Sequence, residues 1–121
     1  MKDSKTTISQ LKERLAKFKD DRDWQQFYNP KDLAEAITLE SAELLEIFRW
    51  LTPKESKELL NDPKFKKRIE SEMADVFIFL LNFANAAGID LAKVTFEKIE
   101  ENEKKYPAEK ARGNAKKYDE L

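Results

Sequence analysis

Histidine and cysteine are both absent from the 121 residues of this chain. Without cysteine there are no disulfides, no thiolate nucleophiles and no sulfur-ligated metals. Without histidine the usual neutral-pH general base is missing, and with it most zinc sites. Any metal must therefore sit on oxygen ligands, which selects hard cations such as Mg²⁺, with Mn²⁺ as the alternative. Glycine is nearly absent too, at two residues, while charged residues make up 39%. That balance favours helix over strand or loop. The formal net charge is only −1, so the chain lacks the bulk basic surface with which nucleic-acid polymers are bound. No apolar run reaches membrane-spanning length, and the first residues, MKDSKTTISQ, carry no signal-peptide core. The expectation is a cytoplasmic protein without a membrane partner, built as one domain over residues 1–121.

What is present is helix punctuation. Ile8, Leu11, Leu15 and Phe18 recur at helical spacing between about Thr7 and Asp21. A polar-aromatic connection, RDWQQFYN, follows. Asn29-Pro30, Thr52-Pro53 and Asp62-Pro63 each place a capping side chain before a proline, the pattern that opens a helix. They predict helices to about Leu51, to about Leu60, and to Gly88 as the residue past the end. Asp90 caps a last helix from Leu91 to Lys105, stopped before Pro107. No strand-like alternation or internal repeat is visible. The predicted fold is all-α: a four-helix bundle with an extra short helix. The tail from about residue 106, with its Tyr106, Tyr118 and cluster of basic residues, is expected to be ordered only if something holds it.

A helix turns about 100° per residue, so its faces can be plotted from sequence. On the second helix Leu33, Ile37, Leu44, Ile47, Phe48 and Leu51 fall within an arc roughly 100° wide. Glu40 projects inside that arc, and Glu43 lies about 60° away at its edge. On the long helix Phe65, Ile69, Met73, Val76, Leu80, Phe83 and Ala87 form the corresponding stripe. Glu72 falls at its margin, and Asp75 about 60° further round. An isolated carboxylate on an apolar stripe either snorkels to water or pairs with a cation. Here there are two pairs at i,i+3, each with one member on the buried face and no adjacent Lys or Arg sharing it. Two readings stand at this point: solvated acidic margins on a helical protein-interaction module, or four carboxylates converging on a divalent cation. A di-iron carboxylate bundle does not fit, because such sites use Glu-x-x-His.

The residues resemble a known family. E-S-A-E at 40–43 followed by E-M-A-D at 72–75 resembles the ExxE…ExxD metal signature of the MazG-like all-α nucleoside triphosphate pyrophosphohydrolases. RDWQQFYNPKDLA, ELLEIFRW and NEKKYPAEKARGNAKKYDEL are similar to flanking motifs of its short dCTP pyrophosphatase branch, so the likeness runs from about Leu11 to Leu121. It implies cleavage between the α- and β-phosphates of dCTP or modified pyrimidine deoxynucleotides, yielding monophosphate and pyrophosphate. It also implies a homo-oligomer, a dimer of dimers, with sites formed where subunits meet. Glu40, Glu43, Glu72 and Asp75 are then both the catalytic and the metal-binding residues, with Glu43 or Glu72 positioning the attacking water.

The resemblance implies that Lys98 and Asn102 contact phosphate or sugar. Lys105 shares their helix face, and Arg112, Lys116 and Lys117 follow in the tail. Trp24, Phe27 and Trp50 are candidates to sandwich the base, with Tyr28, Phe79, Tyr106 and Tyr118 as further aromatic candidates. Two positions depart from the branch: Tyr28, where it often has His, and Phe79, where it has Tyr.

Overall fold

The computed structural model describes all residues, Met1–Leu121. It is all-helical, with six α-helices and two 3₁₀ turns: α1 (Ile8–Asp21), α2 (Pro30–Phe48), α3 (Pro53–Leu59), α4 (Pro63–Ala87), α5 (Leu91–Lys105) and α6 (Ala108–Ala111). The four long helices and the extra short one are those the sequence predicts. With α6 added, the four-helix bundle is an approximation. The chain divides into two compact units, Met1–Gly88 and Ile89–Leu121.

The caps explain the boundaries. Thr7 and Thr52 form reciprocal boxes with Gln10 and Glu55: each threonine hydroxyl accepts from the backbone N–H three residues on, and the Gln or Glu side chain accepts from the threonine N–H. Two of the four orphan donors at each helix start are thereby satisfied. Asn29 accepts from Asp32 N–H at 2.9 Å, Asp62 from Lys64 N–H at 3.0 Å and Asp90 from Lys93 N–H at 3.0 Å. Gly88 closes α4 in the left-handed region, φ 65°, where a Cβ would clash with the backbone. The second helix stops at Phe48, three residues before the predicted Leu51, because Arg49 to Leu51 turn towards the Thr52 cap.

Within the first unit α4 packs most extensively against α2, and also against α1. Leu33, Ile69, Leu81 and Ala84 are the buried apolar residues, accompanied by Asn82. This corrects the α4 stripe. Met73 and Leu80, predicted inside, are 56% and 39% exposed, and Ala87 is exposed as well. A helix between two neighbours buries two faces, so a single-stripe projection places its core in the wrong arc. In the second unit the tail is shaped by α6 and a 3₁₀ turn at Tyr118–Glu120. The Tyr106 and Tyr118 rings meet edge to face at 6.3 Å.

Candidate functional site

Glu40 and Glu43 lie one turn apart on α2, and Glu72 and Asp75 one turn apart on α4. Packing of α2 on α4 brings the two pairs together. Carboxylate oxygens of Glu40, Glu43 and Glu72 all fall within 4.8 Å of one another. Asp75 stands beside this group, close enough to repel the charges of both Glu40 and Glu72. Glu40 and Glu72 are half-buried and Glu43 is exposed, as the helical projection implies, while Asp75, projected about 60° beyond the stripe, is half-buried too.

The electrostatics are those of a site short of positive charge. Loss of hydration raises the Glu40 carboxyl above the usual carboxylate range, and the Glu43 and Asp75 charges push it the same way. Loss of hydration is also the main cause of the rise at Glu72, reinforced by Glu43 and Asp75 and opposed by Arg68. Arg68 precedes Glu72 by one turn and shares this face. It corrects the expectation that no cation shares it, but it does not neutralise three or four carboxylates. One oxygen of Glu40 and one of Glu72 are buried without any hydrogen-bond partner. Buried polar atoms are nearly always satisfied, and two orphaned oxygens on carboxylates of one cluster fit the binding of a cation. The donor set is all oxygen, which suits Mg²⁺ or Mn²⁺.

The aromatic candidates divide. Trp24 packs edge to face on Phe18 at 5.8 Å, and the Arg22 guanidinium lies 3.7 Å over the Phe18 ring. Trp50 is 81% exposed, with Arg49 4.5 Å above its ring. Phe27 is exposed in the 3₁₀ turn Gln25–Phe27. Tyr28 and Phe79 are half-buried. Phe79 follows Asp75 by one turn, on the carboxylate face of α4.

The remaining candidates belong to the second unit. Glu101 pairs with Lys98 at 3.1 Å and with Lys105 at 3.2 Å, so these two ammonium groups share one carboxylate whose pKa they lower. Lys105 also stands 5.1 Å over the Tyr118 ring. Asn102 is exposed, its carbonyl capping α5 by accepting from Tyr106 N–H at 2.8 Å. Arg112 and Lys117 are exposed, and the Lys116 N–H donates to Asn114 Oδ1 at 3.1 Å. One polar residue went unnoticed in the sequence: Asn82, 4% exposed. Its signal was its position seven residues beyond Asp75, on the same side of the helix.

Comparison with known proteins shows the family. The sequence profile of the MazG-like family matches residues 36–121, which contain all four carboxylates. Human dCTP pyrophosphatase 1 is 34% identical over 115 residues, spanning 95% of this chain and 68% of that protein. The bovine dCTP pyrophosphatase 1 is 31% identical over 118 residues, 98% of this chain and 70% of that one. Among solved structures, a pyrophosphatase from Archaeoglobus fulgidus superposes with a TM-score of 0.77 at 40% identity, covering 83% of this chain and 92% of that one. No single helix here is long and apolar enough to cross a membrane. Sequence, fold and relatives converge: this chain belongs to the MazG-like family, in the branch of the dCTP pyrophosphatases.

Proposed function

We propose that this protein is a Mg²⁺-dependent nucleoside triphosphate pyrophosphohydrolase that splits dCTP and related pyrimidine deoxynucleotides into monophosphate and pyrophosphate. The pyrophosphatase relatives support the reaction class. The single observation that carries the metal-dependent reading is the pair of orphaned oxygens of Glu40 and Glu72 within one carboxylate cluster.

Glu40, Glu43, Glu72 and Asp75 would hold the cation. When bound, Mg²⁺ supplies neutralising charge to the triphosphate and acidifies coordinated water. Glu72 is a desolvated carboxylate, and Glu43 is open to solvent. With no imidazole available, one of these two accepts the proton from the attacking water. The water oxygen bonds to one phosphorus of the α,β-linkage as the bridging oxygen leaves with the other. Exposed Trp24, Phe27 and Trp50, with Tyr28 and Phe79, supply stacking surface for a base. Lys98, Asn102, Lys105, Arg112, Lys116 and Tyr118 supply polar contacts to phosphate and sugar. A solvated interaction module leaves the buried carboxylates unexplained, and the relatives are enzymes by name. The test is pyrophosphate release over a panel of nucleoside triphosphates. Release from dCTP with Mg²⁺, abolished by chelator, is expected; no release from any nucleotide overturns the proposal.

Self-association belongs to the same reading. Leu39, Leu45, Phe27 and Met73 are each more than half exposed in the first unit, as is Phe96 in the second, where Ile99 is half exposed. So much exposed apolar surface over so small a buried core marks an association surface. Sedimentation velocity is expected to give a homo-oligomer, with a dimer of dimers as the complete assembly. A sharp monomer boundary at micromolar concentration would refute it.

A further inference from the structure

We infer that Asn82 reads the hydrogen-bonding edge of the substrate's pyrimidine ring, a role that rests on the activity proposed above. Asn82 is the one buried polar residue of the chain, 4% exposed, and its carboxamide takes part in none of the side-chain hydrogen bonds around it, which run from Asn85 to Lys12 and from Gln25 to Asp20. It lines a cavity of about 70 Å³ together with Leu15, Gln25, Tyr28 and Asn85, where α1, the 3₁₀ turn and α4 meet.

The neighbouring carboxamides are already engaged. Asn85 Nδ2 donates to the Lys12 carbonyl at 3.0 Å, and Gln25 Nε2 donates to Asp20 Oδ1 at 3.0 Å. Lys19, also on the wall, pairs with Asp20 at 3.5 Å, and the Tyr28 hydroxyl is open, but among the cavity's carboxamides only Asn82 has both its donor and its acceptor uncommitted. Its polar atoms are not sealed from solvent, unlike the orphaned oxygens of Glu40 and Glu72, so water reaches them and a ligand edge can take the water's place. The cavity has room for about two waters, each taking roughly 30 Å³, or for the polar edge of one ring. It does not admit a whole nucleotide.

Its position fits a base. Along α4 Glu72, Asp75, Phe79 and Asn82 stand at i, i+3, i+7 and i+10, which places them in one arc about 80° wide. Asn82 is within about 20° of Asp75 and about 10 Å further along the axis, a nucleoside's length from the carboxylates that face the triphosphate. Tyr28 borders the same cavity, beside the exposed Phe27 ring. A base stacked on these aromatics can turn its edge inward. The amide then pairs as asparagine does with adenine, accepting from an exocyclic amine and donating to the adjacent ring nitrogen. Cytosine presents that pair at N4 and N3. Nothing in the protein fixes the amide's orientation, so a 4-oxo pyrimidine is served with donor and acceptor exchanged.

The experiment is a cycle between side chain and substrate. Steady-state pyrophosphate release is measured for the unmodified protein and Asn82→Ala, on dCTP and on its 4-deamino analogue, the 2-pyrimidinone deoxynucleoside triphosphate. On dCTP the substitution is expected to lower kcat/KM about tenfold or more, mainly through KM. On the analogue, which keeps N3 but lacks the N4 amine, the loss should be distinctly smaller, about threefold or less. Equal losses on both substrates would make Asn82 a structural residue, and no loss on either would make it a bystander; each overturns the inference. Asn82→Leu, of similar volume, carries the same test if the alanine variant loses helicity. No release by the unmodified protein from any nucleotide would instead remove the underlying activity.

Discussion

Glu40→Gln is expected to lower dCTP hydrolysis by about a thousandfold or more while leaving the metal-free protein as stable as before, or more so. The amide keeps the shape of the side chain and removes its charge. Three neighbouring carboxylates disfavour that charge in the fold, and lost hydration disfavours it further. Glu72→Gln should move both quantities in the same directions as Glu40→Gln, with a smaller gain in stability because Arg68 opposes the rise there. A residue kept for stability moves both quantities in the same direction; a ligand to an absent cation moves them in opposite directions. The measurement pairs pyrophosphate release with thermal melting in chelator. Full activity in Glu40→Gln, or in Asp75→Asn, would sink the assignment of the cluster.

The second large effect is on stability, and it joins metal to pH. Raised carboxyl pKa values mean that the folded chain binds protons more tightly than the unfolded one. The contribution of Glu40 and Glu72 is therefore fully present below the unfolded carboxylate range and lost as pH rises through their folded values. Glu55 and Glu101, whose pKa values are lowered by the Thr52 cap and by Lys98 and Lys105, act with the opposite sign: their contribution is present above the unfolded range and lost on acidification. The cluster is isolated by difference. Without metal, the melting temperature of Glu40→Gln minus that of the unmodified chain should grow from about pH 5 to about pH 7.5. Adding Mg²⁺ at about a hundred times its Kd should stabilise the unmodified chain by roughly 2.7 kcal/mol, a shift of several degrees to about 10 °C. The variant should gain much less, so the order of the two melting points reverses. A melting point unmoved by Mg²⁺ or Mn²⁺ would argue against a cation site between α2 and α4.

Helix boundaries were legible from the residues alone because each is written locally. Asn29-Pro30, Thr52-Pro53, Asp62-Pro63 and Asp90 hold their own helix starts through side chains two or three residues from the groups they satisfy. The metal reading was legible for a related reason. With neither histidine nor cysteine, only oxygen ligands remain, and an i,i+3 pair shares a helix face whatever the helix packs against.

Where the two pairs meet was not local information. It depends on which face α4 turns to α2 and which to α1, and a projection onto one stripe put Met73 and Leu80 inside and passed over Leu81 and Ala84. The same packing enclosed Asn82 in a small cavity, which periodicity does not predict, whereas Arg68, one turn before Glu72, was legible from spacing alone. Chemistry thus followed from composition and spacing, which act within one helix. Only the packing of α2 on α4 decided which carboxylates close to within 4.8 Å, because burial and loss of hydration are properties of neighbours brought together from distant parts of the chain.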